Sequence, residues 1–231
     1  MVEFEHQFAG TVSVKDMFES LGQPHTEVDL VLANGESVDF TYAVGDGDRI
    51  SVYPIFEALD ITPVLRVRPE PLRQLRFVLD THLGKLAAYL RLLGFDSLYR
   101  NDYADEELAE ISASEGRVLL TRDRGLLKRS LVTHGYCVRA IESTAQLGEV
   151  VRRFDLCGPI RPFGRCLRCN GVLSDVSREA VTGLLPTATG GSYESYRQGS
   201  ACGKLYWRGA HLPRLQLIIE GVRGACSEPS Y

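Results

Sequence analysis

Residues 75–80, LRFVLD, run directly into residues 81–94, THLGKLAAYLRLLG, and the reading of this junction decides the architecture. The first stretch is a near-continuous apolar run closed by an acid, as expected of a strand buried on both faces. The second carries Leu83, Leu86, Leu90 and Leu93 at helical spacing and stops at Gly94. A doubly covered strand followed at once by a helix belongs to a parallel sheet with right-handed crossovers. The downstream sequence repeats the alternation. SLYR (97–100) reads as a strand, EELAEISASEG (106–116) as a helix with Asp105 at its N-cap, and RVLLT (117–121) as a strand. RGLLKRSLVTHG (124–135) reads as a turn and helix, YCVRAI (136–141) as a strand, and TAQLGEVVRRF (144–154) as a helix capped by Thr144.

Ligands of open parallel sheets bind beyond the carboxyl ends of the strands. Asp80 ends the first strand and Asp123 follows the third, so both are expected at one edge despite their separation in sequence. Asp105 can reach the same edge from the start of a crossover helix. Three carboxylates meeting there would repel one another unless a cation neutralised them. Oxygen donors without His or Cys suit Mg²⁺ or Mn²⁺, which can activate water for phosphodiester hydrolysis. Arg122 and Arg124 flank Asp123 and could grip a phosphate with paired donors, and Lys85 lies in the first helical turn beyond Asp80. Each of these residues also has a structural alternative: a turn or cap for the acids, an ion pair for the arginines.

The blocks DTHLGKLAAYLRLLGFD, NDYADEEL and EGRVLLTRDRGLLKR, in this order, resemble the Mut7-C family of RNases, which has a PIN-like nuclease fold. The resemblance spans roughly residues 75–215. It implies endo- or exonucleolytic hydrolysis at an acidic metal site, with Asp80, Asp105 and Asp123 at the family's acidic positions and RNA as the partner. tRNA or another small structured RNA is the expected substrate class, and a catalytically inactive RNA-binding adaptor is the alternative. A ubiquitin-like domain is fused to many members of the family.

Upstream, EFEHQF reads as a strand, VSVKDMFESLG as a helix, and EVDLVLANGESVDF as a hairpin turning at Asn34-Gly35, with a last strand in VGDGDRISVYPIF. LVLANGESVDF and GDGDRISVYPIF resemble the ThiS/MoaD ubiquitin-like sulfur carriers. Those act through a free C-terminal Gly-Gly, whereas here Phe56-Glu57 follows the strand and the chain continues. A docking or substrate-binding role, with a protein as partner, is expected instead of sulfur carriage. The expected division is a β-grasp domain over 1–60, a proline-containing linker over 61–74, a PIN-like domain over 75–156 and a zinc-ribbon-like part over 157–224.

In that tail, Cys166-Leu-Arg-Cys169-Asn-Gly is a C-x-x-C knuckle, half of a zinc site. Cys202 looks like the end of the other half, and CGKLYWRGAH again resembles the family's zinc ribbon, but Gly199 stands where a fourth Cys is expected. Only Cys166, Cys169 and Cys202 are then secure as zinc ligands by spacing; either His211 or Cys226 supplies the fourth, or zinc is absent. Tyr206, Trp207 and Arg208 could stack bases and hold phosphate, or simply pack the ribbon. The net charge of −4 conceals a gradient: residues 1–70 hold 13 acids against 4 bases, and residues 151–231 hold 6 acids against 11 bases. A polyanion is thus more welcome at the C-terminal end. No apolar run reaches the ~18 residues of a membrane span, and MVEFEHQFAG lacks a signal-peptide core, so the cytoplasm is the expected location.

Overall fold

The computed structural model describes residues 3–54, 66–67, 75–181, 196–207 and 212–227. The N-terminal unit packs helix α1 (Val14–Ser20) on an antiparallel sheet of β1 (Val28–Ala33), β2 (Glu36–Val38) and β3 (Ile50–Pro54), in the order β2-β1-β3. Ser13 caps α1 by accepting the Asp16 N–H. Asn34 and Gly35 join β1 to β2, both at positive φ (52° and 89°), the geometry that the Asn-Gly pair tolerates and a tight hairpin requires. Val14, Met17 and Phe18 close over Val28 and Val31 to form a separate core. EFEHQF, expected as a strand, forms none; its side chains are exposed and it has no covered face to specify a register. The linker expected over 61–74 falls outside the described residues except for Arg66 and Val67, and Val67 packs against this N-terminal core.

The second unit is a four-stranded parallel sheet of β4 (Phe77–Leu79), β5 (Ser97–Tyr99), β6 (Val118–Thr121) and β7 (Gly135–Cys137), in the order β5-β4-β6-β7. Phe77 and Leu79 face one core, with helix α2 (Gly84–Leu92) and helix α5 (Ser143–Arg153), and Val78 faces the other, with helix α3 (Asp105–Glu115) and α4 (Arg124–Leu127). All three side chains are fully buried, which is why the run shows no polar alternation. Gly94 ends α2 at φ 98°, and a Cβ there would collide with the Arg161 carbonyl, so this stop is fixed twice over. Helix α3 begins after Ala104, with Asp105 as its first helical residue instead of its cap. Helix α5 begins after Glu142, placing Thr144 inside the first turn.

Beyond α5 the chain forms a small antiparallel sheet of β8 (Leu173–Val176), β9 (Tyr196–Gly199) and β10 (Leu205–Trp207), with a short helix α6 (Arg178–Val181) after β8. The final helix α7 (Leu212–Ser227) returns to the parallel-sheet unit, where Ile219 and Val222 enter the main core. A disulfide joins Cys226 to Cys157. Cys226 is therefore withdrawn from metal ligation, contrary to its candidacy as a zinc ligand.

The N-terminal unit lies along the β7 edge of the parallel sheet. Glu27, almost fully buried, accepts the Cys137 backbone N–H at 2.7 Å and pairs with Arg139 at 2.8 Å. An exposed edge strand invites unwanted pairing, and this carboxylate occupies one of its free donors. His25 bridges Glu19 (2.6 Å) and the Val132 carbonyl (2.9 Å), and the Lys128 ammonium donates to the Glu19 carbonyl at 2.7 Å.

Candidate active site and cysteine knuckle

The strand order places a topological switch between β4 and β6. After β4 the chain lays β5 on one side, then crosses back to lay β6 on the other, opening a crevice where the carboxyl ends of β4 and β6 adjoin. Asp80 leaves β4 at this point and is buried, with its backbone N–H bonded to the Leu120 carbonyl at 3.0 Å. One carboxylate oxygen accepts the Thr81 N–H at 2.5 Å, and the other accepts the Thr121 hydroxyl at 2.6 Å. That same hydroxyl accepts the Asp123 N–H at 2.9 Å. A single buried Thr121 side chain thus fastens Asp80 to the backbone of Asp123 across the crevice. The exposed Asp123 carboxylate accepts the Gly125 N–H at 2.6 Å through Oδ1, capping α4.

Asp105 opens α3, where its carboxylate faces Arg129. Arg129 holds it at 3.7 Å and holds Glu106 more closely, at 3.0 Å. Among the described residues, the three carboxylates do not close into a set with ligand atoms within 4.8 Å of one another; only Cys166, Cys169 and Cys202 do. Asp102, another acid of the NDYADEEL block, is paired with Arg100. For a hard cation, the oxygen donors of Asp80 and Asp123 are of the right chemistry, and Mg²⁺ commonly uses one or two carboxylates and keeps several waters.

Lys85, Arg122 and Arg124 are exposed around the crevice, with Lys85 in the first turn of α2 and Arg124 opening α4. The Arg124 guanidinium lies beside Gly22 of the N-terminal unit. The Tyr99 hydroxyl donates to the Thr81 carbonyl at 2.9 Å, bracing the turn after Asp80, and Gly84 gives that phenol its room. Thr121 and Tyr99 went unnoticed in sequence reading. The signal for Thr121 was a hydroxyl two residues before an acid at a strand end, a common side-chain turn.

At the amino ends of the strands the construction differs. The buried Arg91 donates to the carbonyls of Ser97 (2.8 Å), Leu167 (3.0 Å) and Arg168 (3.0 Å), so a guanidinium clamps the loop between Cys166 and Cys169. Asn170 accepts the Ser97 N–H at 3.0 Å and donates to Asp96 at 2.7 Å, and Asp96 also takes Arg117 at 2.7 Å and Arg165 at 3.3 Å. Burial would raise the Asp96 pKa, but the hydrogen bonds from Arg117 and Asn170 hold it below the ordinary value. Arg91 is thus a structural residue.

The three cysteines form a cluster able to hold a metal ion such as zinc. Cys166 is buried, Cys169 half-buried and Cys202 exposed. Burial raises the Cys166 thiol, yet hydrogen bonds from Tyr206 and from the backbone of Cys169 and Arg168 bring it down to about 7. Burial, and then its sulfur neighbours, push Cys169 upward. The Tyr206 hydroxyl accepts the Leu167 N–H at 3.0 Å and lies 3.1 Å from Cys166 Sγ, so it belongs to the knuckle's own hydrogen bonding. Trp207 is half-buried at the end of β10, and Arg208 and His211 lie outside the described residues.

Comparison with known protein families finds the Mut7-C RNAse domain over residues 75–219 and the Mut7-C ubiquitin domain over residues 1–60. No curated protein and no solved structure matches the chain. With most of its length covered, the chain belongs to the Mut7-C RNAse domain family, joined to that family's ubiquitin-like domain.

Proposed function

We propose that this member of an RNase-domain family is a metal-dependent ribonuclease whose active site is the crevice between β4 and β6. The observation that carries the reading is the Thr121 hydroxyl, which ties Asp80 to Asp123 at the topological switch of the sheet. A hydroxyl spent on orienting one acid against the backbone of another is typical of groups that support a metal ligand. Asp80 and Asp123 would hold Mg²⁺ or Mn²⁺, with Asp105 contributing from the start of α3. When bound, such an ion supplies an activated water and stabilises charge on the phosphate oxygens. The protein's own part is to hold Asp80 rigid, keep Asp123 exposed, and present Lys85, Arg122 and Arg124 to the RNA backbone. In-line attack by water would leave a 5′-phosphate and a 3′-hydroxyl.

A small structured RNA such as tRNA, met in the cytoplasm, is the substrate class we favour. Tyr206, Trp207 and Arg208 would serve as an accessory contact, set back from the crevice by the length of the strands, about 10 Å for three residues. The N-terminal unit would confine the substrate near Arg124, and its outer face is a place for a protein partner.

The test is incubation of the full chain with total cellular RNA, with and without Mn²⁺, followed by sequencing of new ends. Discrete metal-dependent ends that vanish in Asp80→Asn and Asp123→Asn support the reading, whereas ends that persist in both variants refute it. A second reading, an inactive RNA-binding adaptor, is favoured by the engagement of Asp105 with Arg129. RNA binding with no metal-dependent ends would select it.

A further inference from the structure

The tail contains two loops with the same backbone hydrogen bonding. In the first, the Cys166 N–H donates to the Gly171 carbonyl (2.8 Å) and the Asn170 N–H returns to the Cys166 carbonyl (3.0 Å), with Asn170 at φ 67°. In the second, the Gly199 N–H donates to the Lys204 carbonyl (3.0 Å) and the Gly203 N–H returns to the Gly199 carbonyl (2.9 Å), with Gly203 at φ 67°. Gly199 is therefore the counterpart of Cys166, as Cys202 is of Cys169. The backbone of the second knuckle is complete and only its leading side chain is missing.

Position 199 also faces the cluster. A Cβ built there would lie 3.4 Å from Cys166 Sγ and 3.6 Å from Cys202 Sγ. A fourth thiolate would project into this space, and glycine leaves it to whatever small group can enter beside the exposed Cys202. Tyr206 is close but committed: its oxygen receives the Leu167 N–H, and its proton can point to Cys166 Sγ. Closed four-ligand sites are structural, while sites with three protein ligands keep an exchangeable position.

We propose that Gly199 turns this knuckle pair into an open three-thiolate centre, which binds a borderline-soft divalent cation such as Zn²⁺ and keeps its fourth position for an exogenous donor, water or a small thiol. Three thiolates outweigh a divalent charge, and the hydrogen bond from Tyr206 together with the cationic Arg91 clamp behind the loop offsets the surplus. The cation is thereby accessible from solvent, unlike one enclosed by four cysteines.

The proposal is tested on the full chain, stripped of metal and titrated with Co²⁺, whose visible bands report the ligand set. The native chain is expected to bind one Co²⁺, and its bands are expected to shift on addition of β-mercaptoethanol. Gly199→Cys should bind Co²⁺ with bands indifferent to the thiol and should hold Zn²⁺ roughly 100-fold more tightly in chelator competition, about 2.7 kcal/mol. Native bands that ignore the thiol overturn the proposal, because the fourth position is then already filled. A native spectrum lost in His211→Ala overturns it as well, by identifying the residue that fills it. Failure of the native chain to bind Co²⁺ stoichiometrically overturns it whether or not Gly199→Cys binds.

Discussion

At the carboxyl ends of β4 and β6, a few short hydrogen bonds orient two acids, one buried and one exposed. At the amino ends of β5 and β6, the half-buried Asp96 joins the buried Arg117 and Asn170, and the buried Arg91 clamps the cysteine loop through its backbone carbonyls. The same sheet thus carries an end whose polar groups are only partly satisfied from within and an end whose polar groups are nearly all spent on the protein. Groups that need an external partner mark a place of chemistry, whereas groups that satisfy each other mark a joint. The cysteine cluster adds an exception inside the second end: both knuckle backbones are formed, and among the described residues three cysteines meet there.

The largest expected effect breaks one end and leaves the other intact. Asp80→Asn or Asp123→Asn should lower single-turnover RNA cleavage on the order of 10²–10³-fold, as removal of a directly stabilising group does. Thermal unfolding and the Co²⁺ spectrum of the cysteine cluster should stay as in the native chain; a changed spectrum would mean that the two ends are coupled.

Next comes the converse. Arg91→Met leaves the Ser97, Leu167 and Arg168 carbonyls without their buried donor, at about 1–3 kcal/mol for each unsatisfied group. Urea unfolding should show a loss of about 3 kcal/mol, with weaker metal binding at the knuckle. Cleavage per folded molecule should change little, and a collapse of cleavage in fully folded protein would erase the contrast between the ends.

Thr121→Val keeps the shape and removes the hydroxyl that links the two acids. Cleavage should fall roughly 10–100-fold, the usual scale for a group orienting a metal ligand. A rate equal to the native one would reduce Thr121 to a strand-end turn. The smallest effect sharpens the electrostatics: Lys85→Ala should raise KM a few-fold and reduce the log–log salt slope of RNA binding by about 0.7, one phosphate contact on a single strand. An unchanged slope would remove Lys85 from the substrate path.

Several features were legible because they depend on neighbours in sequence. Asn34-Gly35 specifies its hairpin through the φ values those residues tolerate. LRFVLD specifies a doubly buried strand, and Gly94 specifies a stop. EFEHQF misleads because alternation without a covered face does not hold a strand. Asp105 and Thr144 each lie inside a helix whose cap is the preceding or second-preceding residue, a shift within the ordinary blur of helix ends.

By itself the sequence determined the alternation of strands and helices over residues 75–154, the two fused units, the family, and the departure at Gly199, since each of these is carried by local pattern. Only the tertiary structure decided that Thr121 joins Asp80 to Asp123, that Arg129 holds Asp105, that Cys226 belongs to Cys157, and that Glu27 covers the edge of β7. These are contacts between residues far apart in the chain. Hydrogen bonds and ion pairs depend on distance and direction in space, and periodicity along the sequence contains neither until the sheet has set its strand order.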